Sequence, residues 1–124
     1  MRRIELSALA HTWLVDIDGT IVKHNGHKRG GDELLPGVAE FWAGIPAGDV
    51  VVLLSARTVA EAAATLRTLA AHGLRHDHSI FGLPTGERVL INDMKPQGLA
   101  TAIAVNLARD AGLAGVGIDI NPNL

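Results

Sequence analysis

The sequence predicts a single α/β domain, in which helices cover both faces of a doubly wound, mostly parallel sheet to give a three-layer α/β/α arrangement. Short apolar runs alternate with helical segments along the chain, which is the pattern of parallel strands buried on both faces. The chain has 124 residues, 48% of them hydrophobic, which is enough for one core but not for two. No apolar run approaches the length of a membrane span.

Four strands and two helices are predicted over the first three quarters of the chain. The predicted strands are residues 12–17, Asp49–Ser55, His78–Phe81 and Arg88–Asn92. The first predicted helix, Leu34–Ala43, begins near Pro36, a residue favoured in a first helical turn. The second helix begins after Thr58, which can cap its N-terminus, and it runs to His72 before Gly73.

The remaining segment combines two conflicting signals. Leu99–Arg109 has the alanines of a helix, but β-branched residues occupy every second position from Thr101 to Val105. We therefore predict a strand over this segment. Residues 115–120 are expected to form a last edge strand or a tail.

Polar side chains follow three of the predicted strands. Asp16 and Asp18 end the first strand, Ser55 ends the second, and Asn92 with Asp93 ends the fourth. Right-handed crossovers bring the carboxyl ends of parallel strands to one edge of the sheet, where ligands bind in folds of this class. The sequence therefore predicts one site that gathers these residues.

Asp16 and Asp18 give the strongest indication of chemistry. Residues two apart on a strand point to the same face, so the two carboxylates are expected to crowd one small volume. Such carboxylates repel each other unless a cation shares the site, and Mg²⁺ prefers hard oxygen ligands. Gly19 allows a sharp turn and is expected to leave free N–H groups near the acids. This pattern predicts a metal-charged anion pocket that contains a carboxylate nucleophile.

The same residues resemble the signature of a known superfamily. Residues 16–20, Asp-Ile-Asp-Gly-Thr, are similar to the first motif of the haloacid dehalogenase superfamily, most of whose members are phosphatases. Residues 50–57 resemble its second motif, and residues 88–93 resemble its fourth. The run Ile-Asn-Asp-Met-Lys-Pro at 91–96 further resembles very small members associated with capsular and other surface-polysaccharide biosynthesis. Two further stretches resemble this group: residues 82–84 and 102–107.

The resemblance implies a Mg²⁺-dependent phosphomonoesterase that works through an aspartyl phosphate on a small phosphorylated metabolite, such as a sugar phosphate for surface-polysaccharide synthesis. It implies that Asp16 is the nucleophile and that Asp18 is first the general acid and then the general base. Magnesium would be held by Asp16, the backbone carbonyl of Asp18 and Asp93. Ser55 and the N–H group of Ala56 would hold phosphate oxygens, or Ser55 would cap the helix that follows it.

The cation that pairs with the phosphate departs from the superfamily pattern. A Lys or Arg often precedes a Pro ahead of the fourth motif, but here Leu83 precedes Pro84. We predict that Lys95 takes this role, with Arg88 as the second candidate and Arg57 as a third for phosphate or substrate contact. A strand that begins at Arg88 is expected to hold that side chain far from the site.

Residues 19–32 are expected to form the flap that covers the active site in this superfamily. The segment is too short for a cap domain, so the resemblance implies a capless member with an open site. A homodimer or homotetramer would shield such a site. The flap carries candidates for reading an anionic substrate, which could equally be a plain solvated loop: His24, His27, Lys28 and Arg29.

Composition argues against several other classes of protein. The formal charge of −2 argues against a general nucleic-acid binder, and the absence of cysteine excludes disulfides and thiolate chemistry. That absence suits a reducing cytoplasm, and the N-terminus does not have the pattern of a signal peptide. His72, His76 and His78 lack the fourth ligand of a structural zinc site, so we do not predict one.

Three alternatives use the same residues. A phosphotransferase would share every motif, and only its preference for an acceptor over water would separate it. A receiver domain also has an acidic pocket, but it places adjacent acids before its phosphoacceptor, whereas here the Asp-x-Asp pair comes first. A non-catalytic phosphate-binding module is the third, and intact motif residues at three strand ends argue against it.

Overall fold

Parallel strands form two sheets in the computed structural model, which describes residues 1–26 and 31–124. The strands are β1 (Arg2–Leu6), β2 (Thr12–Asp16), β3 (Val50–Leu54), β4 (His78–Ile80) and β5 (Val116–Ile120). The helices are α1 (Val38–Ala43) and α2 (Ala62–Ala71), and a 3-10 turn at Val59–Glu61 precedes α2. No helix in the described ranges is long and apolar enough to cross a membrane. The molecule is thus a small α/β fold, as the sequence predicts.

The larger sheet has the strand order β2-β3-β4, and all three strands run in parallel. Asp16 at the end of β2 lies opposite Leu54 at the end of β3, which in turn lies opposite Ile80. This register confirms the first three predicted strands within one or two residues. It also brings Asp16 and Ser55 to the same edge of the sheet.

The smaller sheet pairs β1 with β5 in parallel, and Ile4 lies opposite Ile118. Residues 115–120, for which a strand or a tail is expected, contain the strand β5, whereas its partner β1 is not predicted from the sequence. Charged residues at Arg2, Arg3 and Glu5 obscure the apolar pattern of β1. The strands therefore form two sheets, not the one continuous sheet that the sequence predicts.

The core lies where both helices pack against the larger sheet. It contains Ile17, Ile21, Val22, Leu35, Val38, Trp42, Ile45, Val51, Leu53, Leu69, Leu74 and Leu113. Trp13 packs edge-to-face on Phe41, with ring centroids 5.7 Å apart, and Trp42 is buried with its indole N–H donating to the Arg75 carbonyl. Both tryptophans therefore contribute to packing around the larger sheet.

The helix ends follow local chemistry. Gly37 has a left-handed backbone with φ of 76°, so α1 begins at Val38 and not at the predicted Leu34. Thr58 and Glu61 form a capping box before α2, which confirms Thr58 as the cap.

Two predicted strands are absent, and these predictions are wrong. Neither Arg88–Asn92 nor Leu99–Arg109 has regular secondary structure. Local contacts replace sheet pairing, since the Thr101 hydroxyl donates to the Asp93 carbonyl and accepts from the Asn92 amide. Apolar side chains that a strand would bury are exposed as a result.

Candidate active site

Asp16 ends β2 at the carboxyl edge of the larger sheet, where its side chain remains 46% exposed. The Thr20 hydroxyl lies 3.5 Å from Asp16 Oδ2 and donates to it. Partial burial raises the pKa of the Asp16 carboxyl; the nearby charge of Asp18 acts in the same direction, whereas Arg88 opposes it. Asp16 is thus an accessible carboxylate whose charge is incompletely compensated.

Arg88 supplies the cation that faces Asp16. Its Nη2 atom lies 3.9 Å from Asp16 Oδ1. Its Nη1 atom donates to the carbonyl oxygens of Pro84 and Gly86, both at 3.0 Å, which fixes the guanidinium from behind. The expectation that Arg88 lies far from the site is wrong, because residues 88–92 form a loop and the side chain turns back along it.

The turn after β2 uses its own N–H groups. Gly19 has φ of 80° and donates to the Val22 carbonyl at 2.7 Å, while the N–H groups of the next three residues point to the Ile17 carbonyl. The expected free N–H groups near the acids are therefore engaged within the turn. Gly19 shapes the turn in this structure and offers no free donor to a phosphate.

Asp18 is held on both oxygens by one guanidinium. Arg57 Nε donates to Asp18 Oδ2 at 2.9 Å, and Nη2 donates to Oδ1 at 2.8 Å. Such a bidentate pair fixes orientation as well as charge. The side chain of Asp18 is 19% exposed, so solvent still reaches part of it.

The opposite side of the Arg57 guanidinium meets a second carboxylate. Nη1 and Nη2 donate to the two oxygens of Asp32 at 3.0 and 2.8 Å, and Nη1 also donates to the Thr65 hydroxyl at 3.0 Å. Burial lowers the pKa of Arg57, but the two carboxylates more than offset this and raise the pKa above its ordinary value. The guanidinium is therefore permanently charged, although only 3% of the side chain is exposed.

Ser55 is buried directly after β3. Its hydroxyl accepts the N–H of Arg57 at 2.9 Å, so it stabilises the turn that presents the guanidinium. Ala56 is exposed between them, and its N–H pairs with no group in the described part of the chain. Of the two predicted phosphate contacts, Ala56 is thus the exposed one and Ser55 the buried one.

Asp93 and Lys95 do not join this group. Both are exposed; Lys95 lies in a turn closed by its own carbonyl and the N–H of Gly98. Within the described ranges, no ion pair links Lys95 to Asp16, and no three His, Cys, Asp or Glu side chains are placed to hold a metal ion. The side chains of Asp16, Asp18 and Asp93 therefore form no such group, and the segment expected to carry Asp93 to this edge as a strand is a loop. The predicted magnesium ligand set, which uses the backbone carbonyl of Asp18, stays a prediction.

Asp110 connects the turn to a distant segment, and sequence reasoning missed it. Its N–H donates to the Gly19 carbonyl at 2.9 Å, and its Oδ1 accepts the N–H of His24 at 2.7 Å. Asp110 has a φ of 64°, and the Ala-Gly that follows it is a turn signal in the sequence. Nothing in the sequence, however, connects Asp110 with Gly19. The other flap candidates, His27, Lys28 and Arg29, lie outside the described residues.

Comparison with known proteins adds no assignment: no family model, curated protein or solved structure matches the chain significantly. The candidate site therefore depends on its own geometry. Asp32 and Thr65, which complete the Arg57 cluster, are ordinary polar residues in the sequence, and no signal there marks them.

Proposed function

We propose that the protein is a phosphomonoesterase that forms an aspartyl phosphate on Asp16. One observation carries the proposal: a half-exposed carboxylate at the carboxyl edge of a parallel sheet faces a guanidinium that is anchored from behind. An anchored Arg beside a nucleophile is suited to bind phosphate oxygens and the charge that develops on them.

The reaction has two steps that use the same carboxylate. Asp16 attacks phosphorus, so that an Asp16–phosphorus bond forms and the bond to the ester oxygen breaks. The leaving oxygen takes a proton from Asp18. Water then attacks the aspartyl phosphate, Asp18 accepts its proton, and Asp16 is released with inorganic phosphate. Arg88 holds phosphate oxygens in both steps.

The orientation of Asp18 depends on its ion pair with Arg57. Both Asp18 oxygens accept N–H groups of one guanidinium, which holds the carboxyl in place at the site. The partly exposed side of Asp18 is then the side that meets the leaving group.

Three parts of the proposal come from the sequence alone: magnesium dependence, the finer fold and the biological context. The described carboxylates do not form a three-ligand metal site, so no step of the proposed reaction is assigned to magnesium. We propose a three-layer, capless fold in the cytoplasm, a small phosphorylated substrate of the sugar-phosphate type from surface-polysaccharide synthesis, and a homodimer or homotetramer.

A second candidate is a phosphate-binding module without turnover. The pairing of both Asp18 oxygens with Arg57 favours it, because both oxygens are already occupied by N–H donors of the protein. Such a module would bind phosphate at Arg88 and release no alcohol. A phosphotransferase remains the alternative within the enzyme class.

The first test is hydrolysis of p-nitrophenyl phosphate, with and without Mg²⁺, by the wild type and two variants. Asp16→Asn is expected to lower kcat/KM at least about 10³-fold, since the nucleophile is lost. Because burial raises the pKa of Asp16, the neutral Asn should not lower the free energy of unfolding. Arg88→Ala should lower kcat/KM about 10²-fold by removing charge from the phosphate.

Arg67→Ala is the matched control for Arg88, because Arg67 is exposed on α2 and outside the site. It should leave kcat/KM unchanged. Full activity of Asp16→Asn would disprove the nucleophile assignment. Phosphate binding without hydrolysis by the wild type would favour the binding module.

A further inference from the structure

We infer that Arg57 is a positioning residue, not a phosphate contact: it orients the proposed acid Asp18, and Asp32 and Thr65 orient Arg57. The kinetic part of this inference depends on the proposed function. The structural part, a chain of contacts from Asp32 through Arg57 to Asp18, does not.

All five N–H donors of Arg57 are already used within the protein. A guanidinium has five N–H donors in a planar fork, and here each of them meets an acceptor on Asp18, Asp32 or Thr65. A phosphate at Arg57 would therefore have to displace a carboxylate from a nearly buried ion pair. Arg88, by contrast, keeps Nη2 directed towards Asp16 and the open edge.

Arg57 and its three side-chain partners come from four different parts of the fold. Asp18 follows β2, Arg57 follows the neighbouring β3, Thr65 lies on α2, and Asp32 precedes α1. Asp32 and Thr65 are nearly buried, whereas Asp18 is the more exposed of the two carboxylates. Two nearly buried groups thus fix the guanidinium, and the guanidinium fixes the more exposed carboxyl of Asp18.

The kinetic test compares Asp32→Asn with the wild type on two substrates. A p-nitrophenolate leaves without protonation, whereas an alkyl leaving group such as that of glycerol phosphate needs a proton from Asp18. We expect Asp32→Asn to lower the single-turnover rate constant of leaving-group release about tenfold or more with glycerol phosphate and only slightly with p-nitrophenyl phosphate. The substrate Kd from the same measurement should be nearly unchanged.

Other results would overturn the inference. Equal losses of the release rate constant on both substrates would indicate a general structural role, and a higher Kd on both would make Arg57 a phosphate contact. Arg57→Lys keeps the charge but cannot hold two carboxylates in a fork, so it should reproduce the unequal loss. Asp119→Asn removes a similar pair with Arg3 on the other sheet, so it should leave the kinetics with both substrates unchanged.

A nuclear magnetic resonance measurement tests the positioning separately from activity. The Arg57 Nε–H donates only to Asp18, and its resonance can be assigned by its absence in Arg57→Lys. Asp32→Asn does not touch Nε, yet it should speed exchange of that proton with water about tenfold, because the guanidinium loosens. Unchanged exchange would disprove the inference. If the wild type hydrolyses neither ester, the proposed function is wrong and the exchange rate alone decides the positioning.

Discussion

At the scale of single residues, Asp49 shows how a buried carboxylate is stabilised away from the site. It lies just before β3 and accepts the indole N–H of Trp13 at 2.9 Å and the backbone N–H of His11 at 3.0 Å. A ring nitrogen of His11 lies 2.7 Å from its Oδ2. Burial opposes the charge, but these partners outweigh it and lower the pKa of Asp49 below its ordinary value.

This environment makes stability depend on pH. A carboxyl whose pKa is lower in the folded state stabilises the fold above its unfolded pKa of about 4, and that contribution is lost as pH falls through the folded value. Asp49→Asn should therefore cost about 1–3 kcal/mol near neutral pH, and the difference from wild type should shrink in acid. Urea unfolding from pH 7 to pH 2 measures it.

An exposed carboxylate provides the comparison. Glu87→Gln changes an exposed side chain without an ion pair in the described part of the chain, so its unfolding curve should follow the wild type at every pH. A constant difference for Asp49→Asn down to pH 2 would contradict the proposed stabilisation by charge.

Residue-scale prediction succeeded where the information is local. Asp16 follows a strand that is evident from its apolar run, so its place at the sheet edge was predictable. The partner of Arg57 was not, because Asp18 lies 39 positions away in the sequence. Arg88 was misplaced for a related reason: its position depends on whether a distant strand accepts residues 88–92.

At the scale of elements, the segment after β4 shows that strand-like composition does not form a strand without a pairing partner. Residues 88–92 have strand composition, but a strand forms only where a neighbour supplies hydrogen bonds and a buried face. Val89 is 81% exposed and Ile91 is 91% exposed, so the apolar composition there contributes little to the core. The predicted strands at β2 and β3 succeeded because each is the other's partner.

Substitution of Ile91 tests this difference. Ile91→Ser should change the free energy of unfolding by less than about 0.5 kcal/mol, because an exposed side chain loses little contact. Leu53→Ala, at a position that is 1% exposed, should cost about 2–5 kcal/mol in the same denaturation experiment. A loss at Ile91 as large as that at Leu53 would mean that residues 88–92 are buried as a strand.

At the scale of the whole molecule, the acidic residues do not converge on one metal centre in the described ranges. We therefore expect the proposed Mg²⁺ to bind together with the substrate phosphate, so that Mg²⁺ alone, compared with EDTA, shifts the midpoint of thermal unfolding by less than about 1 °C. A rise of several degrees would show that the free protein has a metal site. Calorimetry with Ca²⁺ as a second cation would separate selective binding from general screening.

The pairing of β1 with β5 has a consequence for synthesis. Arg3 and Asp119, which form an ion pair across this sheet, are 116 positions apart, so the first strand leaves the ribosome long before its partner exists. Closing so long a loop is slow, and an unpaired strand is open to association with other nascent chains. Until β5 has been synthesised, the positive charges of Arg2 and Arg3 on the unpaired β1 repel identical chains.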